Sequence, residues 1–125
     1  MTASLRCELF PADLDAAIGF YVDVLGFTLD RDERASCSPY VALTHGTVRL
    51  GLAQRDDVGG AESRRPPAGV ELVLEVDDLT AARDRVTTAG WSVDEDLTER
   101  SWGLVDFRVL DPAGYYWRIT SRASG

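Results

Sequence analysis

"SWGLVDFRVLDPAGYYWRIT", residues 101–120, sets two runs of alternating large apolar and polar residues on either side of Asp111-Pro112-Ala113-Gly114. The proline presets one turn angle and the glycine allows a positive one, so the stretch reads as a β-hairpin. It carries Trp102 and Trp117, two of the three tryptophans, and Arg118 near the end of its last strand.

Upstream, "GVELVLEV" (69–76) reads as a strand. Asp77 or Asp78 caps a helix over "LTAARDRVTTA", Gly90 closes it, and "WSVDEDL", "LVDFRVL" and "YYWRITS" supply three more strands. The first half runs in the same order. "SLRCELF" (4–10) alternates as a strand that Pro11 ends, and Asp13 caps "LDAAIGFYVDVL", in which Leu14, Ala17, Ile18, Tyr21, Val22 and Leu25 recur at helical spacing before Gly26. Three strands follow, "FTLDRD", "PYVALT" and "TVRLGLA", the last two joined at His45-Gly46. Asp13 corresponds to Asp78, Gly26 to Gly90 and Gly46 to Gly114. A repeat of about 65 residues implies two copies of a βαβββ unit, each too small to bury its own sheet face.

At 125 residues the chain suits one domain, large enough to bury roughly two thirds of the surface its unfolded form exposes. No apolar run approaches the ~18 residues of a membrane span, and the N-terminus has no signal-peptide core, so a cytoplasmic location and no membrane partner are expected. Cys7 and Cys37 show no metal or disulfide spacing and read as plain thiols. All 13 basic residues are arginine; against 21 acidic ones the net charge is 13 − 21 = −8. Such a field repels phosphate backbones, which argues against nucleic acid as a partner.

The paired modules, with "DL…FYVDVLGF" after the first strand and "WG…F…DPAGYYWRI" at the end, resemble the vicinal oxygen chelate superfamily over about residues 4–121. That group includes glyoxalase I, extradiol dioxygenases, fosfomycin-resistance enzymes and bleomycin-resistance proteins. The resemblance implies an α+β fold: two tandem βαβββ modules (about 4–53 and 70–121, joined by a linker over 54–69) form a curved mixed sheet around a concave cavity, with helices on the outer face. It also implies, in enzymatic members, a divalent metal held by His, Glu or Gln from the first and last strands of each module. Those positions fall here on Arg6, Gly51, Glu71 (Val70 or Leu72 if the alignment slips) and Arg118. Arginine has no lone pair to donate and Gly51 has no side chain, so neither the family metal nor any other cofactor is expected. The sole histidine, His45, reads as an exposed turn residue remote from these positions.

Strand alternation groups Arg6 with Glu8, Arg49 with Gly51, Glu71 with Val73 and Glu75, and Tyr116 and Thr120 with Arg118 on the cavity side; Leu5, Cys7, Leu9, Trp117 and Ile119 face the helices. The arginines and carboxylates either neutralise one another in a salt-bridge network that fills the former metal site, or leave an arginine for an anionic group or Glu8 and Glu71 for a cationic one. Trp102 reads equally as a wall for a flat ligand, with Gly103 permitting close approach, or as a structural edge. Tyr40, Phe107 and Tyr116 are further aromatic candidates. "VGGAE" lacks the context of a phosphate loop, Ser36-Cys37-Ser38 lacks a nearby base, and "ESRRPP" (62–67) reads as a solvated linker.

Taken with the resemblance, these features point to a metal-free, bleomycin-resistance-like protein, a homodimer that binds or sequesters a flat or cationic small molecule such as an antibiotic. Two competitors differ in class: a lyase, isomerase or dioxygenase relative using a metal or Glu8 or Glu71 as acid-base group, and a regulatory module without a small ligand.

Overall fold

The computed structural model describes residues 2–59, 64 and 67–122. The chain is α+β, and its contacts divide it into two units at residue 59, each a βαβββ module with its own four-stranded mixed sheet.

The first module runs β1 (Arg6–Leu9), α1 (Leu14–Gly19), a π-helical turn (Phe20–Val24), β2 (Thr28–Glu33), β3 (Tyr40–His45) and β4 (Val48–Ala53). Its sheet order is β1-β4-β3-β2, with β1 parallel to β4 and the other pairs antiparallel. The chain between β1 and the parallel β4 runs through α1, β2 and β3, long enough for the crossover that a parallel pair needs. Asp13 starts α1 by accepting from the Ala16 amide at 3.0 Å. The helix then widens, the Leu25 amide reaching back five residues to the Phe20 carbonyl, a widening that the spacing over 14–25 does not reveal. Val41, Leu43, Leu50 and Leu52 form the buried side of the sheet, under Leu14, Ala17, Ile18, Tyr21 and Phe27.

The second module repeats the plan with β5 (Leu72–Val76), α2 (Leu79–Thr88), β6 (Glu95–Glu99), β7 (Val105–Leu110) and β8 (Tyr116–Ser121), in the order β5-β8-β7-β6. Asp78 caps α2 through the Ala81 amide at 3.0 Å. Phe107 and Val109 pair with Ile119 and Trp117 across the hairpin, and with Leu74 and Val86 they make the core. The Asp111 carboxylate ties the hairpin turn, accepting from the amides of Ala113 (2.9 Å) and Tyr115 (2.8 Å), while Gly114 takes φ 86°. The expected strand over 91–97 begins only at Glu95. A bulge follows between Glu95 and Thr98, and Asp96 within it binds the α2 residue Arg83 through both carboxylate oxygens (3.1 and 2.8 Å). No described helix is long and apolar enough to cross a membrane.

Candidate functional site

On the first module's sheet, parallel register sets Arg6 beside Arg49 and Glu8 beside Gly51, on the face away from the buried leucines. Arg6 Nε lies 2.8 Å from Glu8 Oε1. The Tyr40 hydroxyl lies 3.1 Å from each Glu8 oxygen, and burial, followed by this hydrogen bond, raises the phenol's pKa above its ordinary value. The Glu8 carboxylate rests over Gly51, where any Cβ would collide with it and with the Tyr40 hydroxyl. Arg49 stands apart, exposed and bonded to Ser4 Oγ at 3.1 Å.

The second module carries a longer chain of charges. Arg118 Nη2 lies 2.9 Å from Glu71 Oε1, and Glu71 Oε2 lies 3.9 Å from Arg108 Nη1. Arg108 Nε is 3.5 Å from Asp106 Oδ1. Asp106, 1% exposed, is gripped by Arg100 at 2.7 to 3.1 Å, and Arg100 also meets Glu95 at 2.8 Å. Burial alone would push the Asp106 pKa up, but the hydrogen bonds from Arg100 and the nearby Arg108 guanidinium outweigh it and hold the carboxyl below its ordinary value. The Arg118 guanidinium lies 5.8 Å from the Trp102 ring centre, and the Arg108 guanidinium 5.9 Å from that of Tyr116. The Tyr116 hydroxyl donates to Asp94 Oδ2 at 3.1 Å.

Trp102 is 57% exposed at the tip of the β6–β7 hairpin. There the Gly103 amide bonds the Arg100 carbonyl (2.9 Å), and the Arg100 amide bonds the Leu104 carbonyl (2.8 Å). Gly103 takes a φ of 93°, a conformation that favours glycine, and the space where its Cβ would be is open.

Several sequence expectations need correction. Phe107 is no cavity aromatic: it points to the helix side between Asp106 and Arg108, with no exposed surface. Leu5 precedes β1 and is 85% exposed instead of facing the helix. His45 is the last residue of β3, not a free turn residue, and packs edge-on against Phe27 at 5.3 Å. Most of "ESRRPP" lies outside the described residues, but Arg64 stacks over the Tyr115 ring at 4.2 Å and donates to the Ala113 carbonyl at 2.8 Å. Beside it a cavity of about 110 Å³ is lined by Arg64, Val70, Leu72, Tyr115 and Tyr116 among others; of the expected site residues, Tyr116 alone reaches it, and it is too small for a drug-sized ligand. Arg100, Asp106 and Arg108 escaped sequence reasoning. The signal was present, because with Leu110 opposite Tyr116 the hairpin register sets Arg108 opposite Arg118.

The positions that the resemblance assigns to a metal do not suit a cation. Arg6 and Arg118 present guanidinium groups there, Glu8 covers Gly51, and Glu71 is engaged by two arginines. Among the described residues no group of three or more His, Cys, Asp or Glu side chains is arranged to share a metal ion.

The family model of the Glyoxalase/Bleomycin resistance protein/Dioxygenase superfamily matches residues 4–119. The chain belongs to this superfamily. Solved structures of similar fold include a bleomycin resistance determinant encoded on the transposon Tn5 (18% identity, 98% of this chain and 100% of the other, TM-score 0.78), TioX from Micromonospora sp. ML1 (23%, 98% and 100%, 0.77), and a virulence protein of Salmonella typhimurium (22%, 98% of each chain, 0.71). At these identities the likeness concerns the fold of the superfamily alone. No curated protein sequence matches the chain.

Proposed function

We propose that this superfamily member is a metal-independent binding protein that holds a flat small molecule such as an antibiotic in a cavity of a homodimer. The observation that carries this reading is Trp102. A large indole left 57% exposed, braced on one side by the Arg118 guanidinium at 5.8 Å, offers a planar surface beside Arg118, the residue at one of the positions that the resemblance assigns to a metal ligand. Its neighbours there are arginine-carboxylate pairs, a set of groups suited to polar recognition and not to metal-assisted catalysis.

The test is a thermal-shift and tryptophan-fluorescence screen of planar compounds, cationic, neutral and anionic, run with chelator and again with added Zn, Ni or Mn. Binding is expected to be the same in both conditions. Trp102→Ala is expected to weaken it about tenfold, the worth of one good aromatic stack, while the melting temperature stays within about 2 °C because an exposed side chain contributes little to stability. A melting temperature that falls by many degrees makes the indole a structural edge. Ligand binding that appears only with metal refutes the reading.

A further inference from the structure

Arg108 and Arg118 are directly opposed on β7 and β8, the two central strands of the second module's sheet. Like charges in that position repel, so the pair needs acceptors, and it is short of them. Glu71 divides its two oxygens between the arginines, 2.9 Å from Arg118 and 3.9 Å from Arg108. Asp106, the other neighbour, is committed to Arg100 and stands 3.5 Å from Arg108 Nε. Arg118 Nε is buried with no hydrogen-bond partner among the described residues. Two guanidiniums, each with five donors and no way to lose its charge, therefore share one close carboxylate.

That carboxylate is the least anchored member of the group. Arg108 and Arg118 lie in strands paired on both sides, with side chains 14% and 23% exposed, whereas Glu71 is 36% exposed and precedes β5, whose pairing starts at Leu72 opposite Trp117. Swinging Glu71 into solvent breaks no strand pairing. We infer that Glu71 occupies the place of a ligand's carboxylate, and that the site takes a planar aromatic carboxylate whose charged end replaces Glu71 on Arg118 and Arg108 while its ring stacks on Trp102. The inference rests on the planar-ligand reading above and names the ligand's charge.

The exchange keeps the local charge constant, because one carboxylate leaves as another arrives and Glu71 regains water. A cationic ligand that drew Glu71 away would leave two opposed guanidiniums without their close acceptor, an unfavourable arrangement in partly buried surroundings. The net charge of −8 favours cations at long range, but exposed charges are screened beyond about 8 Å at physiological salt, so the contacts decide.

The experiment titrates the full-length protein with 2-naphthoate, its neutral isostere 2-naphthamide and the cation 2-naphthylmethylammonium by calorimetry. The arginine side-chain N–H signals are followed by NMR. Naphthoate is expected to bind at least tenfold more tightly than the other two and to shift the Arg118 and Arg108 Nε–H signals. Glu71→Gln, which removes the competing charge, is expected to tighten naphthoate binding about tenfold and leave naphthamide unchanged. Arg118→Lys, which keeps the charge but loses the fork, is expected to weaken naphthoate selectively, and its melting curve reports that it is folded. Unchanged or weaker naphthoate binding in Glu71→Gln overturns the inference. So does Trp102-dependent binding of the amide or the ammonium with none of the carboxylate, though the planar-ligand reading then stands; if none of the three binds to Trp102, both fall.

Discussion

Asp106 is a severe test of how the second module is held together. Its carboxylate is 1% exposed and accepts three short contacts from Arg100, at 3.0, 3.1 and 2.7 Å, with Arg108 at 3.5 Å. Asp106→Asn keeps the shape and removes the charge. Breaking a buried ion pair from one side costs about 3 to 5 kcal/mol; Arg100 keeps Glu95 at 2.8 Å, so the lower end, about 3 kcal/mol, applies. With an unfolding entropy of about 2.1 cal/mol/K per residue, the 125-residue chain has ~0.26 kcal/mol/K, and the melting temperature should fall by roughly 11 °C.

The pH dependence supplies a second check on the same variant. The folded pKa of Asp106 is depressed, so its contribution is fully present above the unfolded value of about 3.9 and is lost as pH falls through the folded value. Thermal unfolding followed by circular dichroism should show a constant gap between wild type and Asp106→Asn from pH 7 to 5, narrowing below about pH 4. A gap under about 1 kcal/mol at pH 7, or one that widens in acid, refutes the account of Asp106 as the buried anchor of these arginines.

Two further outcomes follow from the first module. Gly51→Ala drives a methyl group into the Glu8 carboxylate and the Tyr40 hydroxyl; loss of their hydrogen bond should cost about 1 kcal/mol and return the Tyr40 titration, now raised, toward the ordinary value of about 10, as read by ultraviolet absorbance. An unmoved titration would mean that Glu8 does not set it. Cys37 is exposed, whereas burial and then the charge of Glu8 raise the Cys7 thiol's pKa, so iodoacetamide at pH 8 should label Cys37 roughly tenfold faster. Cys37→Ser should abolish the fast phase; its persistence would place the reactive thiol at Cys7.

Much of this molecule is legible in its residues because the signals are local. Asp13 and Asp78 each cap their helix, since a short side-chain oxygen reaches an amide three residues on whatever surrounds it. Alternation sorts Arg6 and Glu8 to one face, and a spacing of two brings them together within a single strand. The same reading fails where a partner from elsewhere intervenes. Phe107 looks like any other aromatic in an alternating strand until the parity of Asp106 and Arg108 is fixed by register with β8. Gly103 also sits in a turn that Arg100 closes through its own carbonyl and amide.

Local residue patterns carry the repeated βαβββ plan, the caps and the closing hairpin, since propensity and periodicity are properties of neighbouring residues. Tertiary structure alone decided which charges meet. Glu71 reaches Arg118 across a parallel strand pair and Arg108 one strand further on, while Asp106 is claimed by Arg100 around a hairpin turn. Those choices depend on strand order and register, which arise when separate segments compete for the same sheet edge. No run of residues read in isolation contains that competition.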